Sequence, residues 1–250
     1  MKKIISATFL FFALSIASMA LAAELEVVIY PSNQTASFDA EKKVREYVFN
    51  ETCYTAFFVK GFSRNPDGSI DLTSHVKCID PKGNILFDEK DYAKAKSAPA
   101  DVEFINLDTS FDVTIEDGDP VGMYVIEVEV VDTISKENKI AQTTVFYFDT
   151  NESKNLIMKP VKTAEDLDNL WAEYFRSKNP WAVKRIISAL RLRKESPKLE
   201  DAVVGAAAKW SLESNAKQHP DILEICKQSL KNTKGAINEL LQEIIANAEK

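Results

Sequence analysis

The 250 residues carry 31 Lys and Arg against 38 Asp and Glu, a formal net charge of −7, and 45% of them are hydrophobic. The acidic balance has the wrong sign for a partner built on phosphates, so nucleic acid is not expected as a partner. Two histidines in different predicted domains leave too little for a zinc centre, and seven glycines form no Gly-rich loop before a helix, so no cofactor is expected.

The chain opens on Lys2 and Lys3. An apolar stretch from Ile4 to Leu21 follows, then the small-x-small run Ala20-Leu21-Ala22. In that order these features read as a signal peptide over residues 1–22, cleaved before Ala23, and place the mature chain in a bacterial periplasm or outside the cell. An anchor that is never removed is the weaker reading, because a span needs about 20 strongly apolar residues and this segment ends in small ones. Ala23 follows the cleavage site where a lipid-bearing cysteine would stand. No later run approaches the length of a transmembrane segment.

Charge then divides the remainder. Residues 23–159 hold 14 Lys and Arg against 25 Asp and Glu, whereas residues 160–250 hold 15 against 13. Two units with different surfaces are implied, a domain at 23–149 and another at 163–250, with 150–162 as a polar linker.

In the first unit, Leu25–Tyr30 is rich in strand formers. Tyr47–Gly61 and Ile70–Ile79 read as partner strands around Asn65-Pro66-Asp67-Gly68-Ser69, where Pro presets φ and Gly accepts φ > 0. Asp80-Pro81-Lys82-Gly83-Asn84 is a second turn, followed by Ile85-Leu86-Phe87. Asp88–Asp101 is charged and weakly patterned and reads as a loop or helical turn. Val102–Leu107, Ser110–Ile115, Tyr124–Val131 and Ala141–Phe148 complete the set. Tyr124, Ile126, Val128 and Val130 alternate with Glu127 and Glu129, which marks a strand with one buried face. Seven or eight short strands separated by turn signals predict an antiparallel sandwich.

From Thr163 the hydrophobic period changes to that of a helix. Thr163 is placed to cap a helix with Glu165 and Asp166 in its first turn, and Leu167, Leu170, Trp171, Tyr174 and Phe175 form one apolar stripe. Asn179-Pro180 starts the next helix, carrying Trp181, Val183, Ile186, Ile187 and Leu190. A third helix from near Pro197 has Leu199, Val203, Ala206, Ala207 and Trp210 as its core face. Two more follow His219-Pro220 and Gly235. The predicted architecture is β then α: a sandwich followed by a bundle of about five short helices.

Two runs carry a resemblance. Asp119-Pro120-Val121-Gly122-Met123-Tyr124 resembles the corner leading into a late strand of immunoglobulin-like sandwiches, in which the Tyr hydroxyl bonds back to the corner backbone. The antibody Cys…Trp…Cys signature is missing, since no Trp precedes Trp171. Through the Trp210–Pro220 run as well, the chain resembles secreted bacterial proteins in which an Ig-like module precedes a small helical domain. The resemblance implies fold only, with no activity and no functional residues.

Candidate chemistry is sparse. Cys53 and Cys78 flank a predicted hairpin and are expected to form a disulfide across it; Cys226 falls on a helix and reads as a buried small hydrophobe. Glu116, Asp117 and Asp119 form an acidic turn, a weak candidate calcium site that a solvated turn also explains. No Gly-x-Ser-x-Gly elbow or C-x-x-C is present, and no catalytic residue is assigned. His75 reads as a strand residue on the polar face and His219 as a helix-end residue. Lys184, Arg185, Arg191 and Trp181 are candidates for a binding surface, with a solvated helix face as the plain alternative. The leading expectation is a non-catalytic exported module that binds another protein or an envelope component. The alternatives are a carbohydrate-directed protein using aromatics such as Tyr92 and Tyr147, and an assembly factor that pairs an open edge strand, Leu25–Tyr30 or Ala141–Phe148, with a client.

Overall fold

The structure is a computed structural model that describes residues 24–33, 45–107 and 111–250. The expected signal peptide lies outside the described residues. Nine strands come first: β1 (Glu26–Ser32), β2 (Glu46–Val48), β3 (Thr52–Lys60), β4 (Leu72–Ile79), β5 (Ile85–Ala95), β6 (Phe104–Asn106), β7 (Phe111–Thr114), β8 (Gly122–Asp132) and β9 (Glu137–Phe148). Helices follow: α1 (Asn151–Met158), α2 (Ala164–Ser177), α3 (Pro180–Ala189), the single turn α4 (Leu192–Glu195), α5 (Leu199–Gln218), α6 (Pro220–Leu230) and α7 (Ala236–Ala248).

The strands make two sheets. One runs β1-β3-β6, with β7 also pairing β3; the other runs β2-β9-β8-β4-β5. All ladders are antiparallel except β2–β9, which is parallel. Side chains from both sheets meet in one buried cluster that includes Val27, Phe57, Val59, Leu72, Val76, Tyr124, Ile126 and Val128. The alternation read in β8 is the observed one: Tyr124, Ile126, Val128 and Val130 are fully buried, while Glu127 and Glu129 face outward toward Lys77 and His75.

The corner before β8 closes as its residues dictate. The Tyr124 hydroxyl donates to the Pro120 carbonyl at 2.6 Å. Gly122 adopts φ 132°, and a Cβ there would come within 3.2 Å of the Pro81 side chain. Only glycine satisfies both the backbone conformation and the close approach.

Four expectations are corrected. The segment 88–101, read as a loop, is mostly the outer strand β5, whose sequence hides its period because most of its side chains are exposed. Charged residues from Asp88 to Lys94 suit a sheet rim, where they oppose pairing with another chain. Strands β3 and β4 do not form a hairpin, because they belong to different sheets. Cys53 and Cys78 therefore approach the core from opposite sheets, and both are buried free thiols, not a disulfide. Finally, the polar stretch after β9 is helix α1, capped by Thr150, whose side chain accepts from the Ser153 amide.

Helix α2 starts at the predicted cap. Thr163 and Asp166 form a reciprocal capping box on α2. Asn179 caps α3, accepting from the Trp181 amide at 3.0 Å, with Pro180 in the first turn. The helical core, built around Leu170, Tyr174, Val183, Ile186, Leu212 and Leu241, also takes in Phe148, while Phe146 and Val48 pack against it. The end of the sheet is thus part of the helical core. None of the described helices is long and apolar enough to cross a membrane.

Candidate functional site

Helix α3 crosses the end of β9 and the C-terminus of α1, and a recess of about 200 Å³ opens at that junction. Phe146 and Phe148 come from β9, Ile157 and Met158 from α1, and Trp181, Lys184, Arg185 and Ser188 from α3. The strand–helix contact is aromatic: the Phe146 and Trp181 rings meet edge to face at 4.7 Å.

Three of the four basic or aromatic residues singled out in the sequence converge here, with different roles. The Arg185 guanidinium reaches back to the end of α1, its Nε donating to the Ile157 carbonyl at 2.7 Å and Nη2 to the Met158 carbonyl at 2.9 Å. It thereby satisfies carbonyls that a helix C-terminus leaves open. Lys184 Nζ lies 4.4 Å above the centre of the Trp181 ring. A cation over an aromatic face gains about 0.5–2 kcal/mol, and among the described residues no carboxylate pairs with it. Burial pulls both the Lys184 and Arg185 pKa values down, and the neighbouring Arg191 charge lowers Arg185 further. Arg191 itself is exposed and lines neither this recess nor its neighbour.

A second recess, of about 440 Å³, adjoins the first and shares Trp181, Lys184 and Ser188 with it. Its remaining wall comes from Met123 at the start of β8, Ile187 of α3, and residues of α6 and α7 and the turn between them. No Asp or Glu lines either recess. In a chain of net charge −7 that is a local reversal of sign.

A larger cleft of about 810 Å³ lies between the β4–β5 and β7–β8 turns and the ends of the helices. Its principal charges are already satisfied. Arg176 bonds Asp149 at 2.6 Å and Glu173 at 2.7 Å, and Asp221 accepts from the Tyr174 hydroxyl at 2.6 Å while facing Lys178 at 3.7 Å. Unpaired positive charge beside apolar surface distinguishes the junction recess as the better candidate.

The other sequence candidates fall elsewhere. Asp119 folds back so that its carboxylate accepts from the Glu116 amide at 3.0 Å, closing its own turn with Asp117 in the loop. Among the described residues, no three His, Cys, Asp or Glu side chains are gathered for a metal. Tyr147 is fully buried, donating to the Val113 carbonyl at 2.5 Å, and Tyr92 packs among Phe57, Phe87 and Phe111. Tyr147 therefore presents no sugar-stacking face. His75 bridges Asp88 and Glu129 on the outer face of its sheet. His219 caps the end of α5 with its ring 5.1 Å from that of Phe175. Of the two strands considered for client pairing, β1 is at a sheet rim, whereas β9 lies between β2 and β8. The recess itself was not legible from sequence, because it depends on Phe146, Phe148 and Met158 meeting α3 across the boundary between the two units.

No family model matches the chain, and no curated protein resembles it in sequence. Among solved structures, the CARDB domain of a Pyrococcus furiosus protein in complex with di-metal ions is 16% identical, with a TM-score of 0.30, covering 50% of this chain and 88% of its own. The PKD domain of an M14-like peptidase from a Thermoplasmatales archaeon is 14% identical, with a TM-score of 0.30, covering 48% and 91%. A sporulation control protein from Bacillus subtilis is 13% identical, with a TM-score of 0.31, covering 54% and 53%. Likenesses at this level carry no argument about what this chain does.

Proposed function

We propose that this protein is a non-catalytic binding module exported from a bacterial cell, an Ig-like sandwich joined to a helical domain, whose partner is another protein docking at the α3 junction. The observation that carries the reading is Lys184, a half-buried cation over Trp181 with no carboxylate partner among the described residues, at the mouth of an apolar recess. The size of the junction recess supports a protein partner. Pockets that enclose a whole small molecule run to about 300–1,000 Å³, and the junction recess has about 200 Å³. That suits one apolar side chain, the kind of anchor that carries most of the affinity in protein interfaces.

Met158 lines the recess and is 43% exposed, so a photoreactive side chain there reports on whatever docks. Irradiating cells that express this variant should yield a discrete crosslinked protein band. The same group at Lys136, on the β8–β9 turn, should not yield it. Identical patterns from the two positions would remove the basis for the reading.

A further inference from the structure

We propose that the partner presents an acidic side chain flanked by two apolar ones, with the carboxylate received at Lys184 and one apolar residue seated in each recess; this rests on the protein-binding reading above. The two recesses share Trp181, Lys184 and Ser188 but otherwise have separate walls, one of β9 and α1, the other of β8, α6 and α7. The cation therefore stands on the ridge between two apolar depressions, and a ligand that fills both must cross it.

One unpaired cation defines what crosses. Lys184 has no ion-pair partner among the described residues, and Arg185, the other cation here, is committed to carbonyls of α1. With no Asp or Glu in either wall, a carboxylate arrives without repulsion and finds an ammonium whose burial has already removed part of its hydration. A peptide carboxylate between apolar neighbours meets all of these conditions at once.

The test is selection from a random peptide library on the whole protein, processed by the cell that exports it. The wild type should enrich peptides with Asp or Glu between two apolar residues. Lys184→Met should bind the selected peptides about tenfold more weakly and, when panned itself, should keep the apolar positions while losing the acidic one. Lys184→Glu should replace that acidic position by Lys or Arg. Should Lys184→Met fail to fold, as judged by near-ultraviolet circular dichroism, Lys184→Arg carries the test: it keeps the charge and should keep the acidic preference. Selected peptides with no central acid, or an acid preference indifferent to the charge at position 184, would overturn the proposal. So would a library that yields no binder while the Met158 crosslink persists, and in that case the protein-binding reading survives alone.

Discussion

The hydroxyl of Tyr124 ties the corner at Pro120 to the start of β8 from a ring that is itself fully buried. Tyr124→Phe keeps the ring and removes the donor, leaving the carbonyl unmatched. The expected loss is about 1 kcal/mol, read as a lower urea midpoint at unchanged slope; an unchanged midpoint would show that the corner does not depend on this bond. Asp166 allows a test of sign. Burial raises its pKa, but the Lys162 and Thr163 amides and the Lys159 ammonium outweigh that and bring it down to about 2. A carboxyl depressed by folding contributes stability above its unfolded value, near 4, and loses it as pH falls through the folded one. Asp166→Asn should therefore cost about 1 kcal/mol at pH 7, with the deficit closing between pH 4 and pH 2. A constant deficit down to pH 2 would mean that the cap is steric, not electrostatic. Both residues were legible in the sequence because their backbone partners lie within four positions: a local motif carries its geometry with it. Cys53 and Cys78 show the opposite case. Their relation depends on which sheet each strand joins, and nothing between residues 53 and 78 records that.

Helix α5 is where periodicity misleads. Leu199, Val203, Ala206 and Trp210 share one face at the spacing of a core stripe, and so do Val204, Ala208, Leu212 and Ala216 on the opposite side. The structure buries the second set and leaves Leu199 at 81% and Trp210 at 74% exposure. Two equal stripes fix the period of a helix but leave its rotation open. The rotation is set by Gly205, where a Cβ would lie 2.3 Å from the Arg193 backbone nitrogen, so that α4 packs against α5 only over a glycine. Gly205→Ala should accordingly destabilise despite the better helix propensity of alanine, by about 1–3 kcal/mol from overpacking. Leu212→Ala should cost about 2–5 kcal/mol, whereas Trp210→Ser should stay within about 0.5 kcal/mol. Thermal melts of the three variants separate the two orientations, since a large loss at Trp210 with none at Leu212 would require the reverse face to be buried. A mid-helix glycine was the one sequence signal that could have found the buried face.

At the scale of the whole molecule, strand gives way to helix at residues 149–151, ahead of the change of hydrophobic period near residue 160, and the two buried clusters do not divide at that point, because the end of the last strand joins the helical one. Phe148 ends the last strand and is buried in the helical cluster, with Phe146 and Val48 against the same cluster. Lys154 of α1 donates to the Glu46 carbonyl at 2.7 Å, and Arg176 of α2 grips Asp149 just beyond β9. Cutting the chain after residue 149 would strip cover from three apolar side chains of the sheet and leave Asp149 without its guanidinium. Each large apolar side chain returned to water costs about 1.5–3 kcal/mol, a sizeable part of the 5–15 kcal/mol that holds a typical domain together. Calorimetry of the whole chain should therefore give a single transition, with equal calorimetric and van't Hoff enthalpies. A fragment of residues 23–149 should melt well below it or aggregate. Phe148→Ala, within the intact chain, should lower the single transition without splitting it, because the side chain belongs to one strand and the other cluster at once. Two resolved transitions in the wild type would mean that the sheet and the helices are stable independently and that the α3 junction, with Lys184 at its rim, is a surface contact and not a shared core.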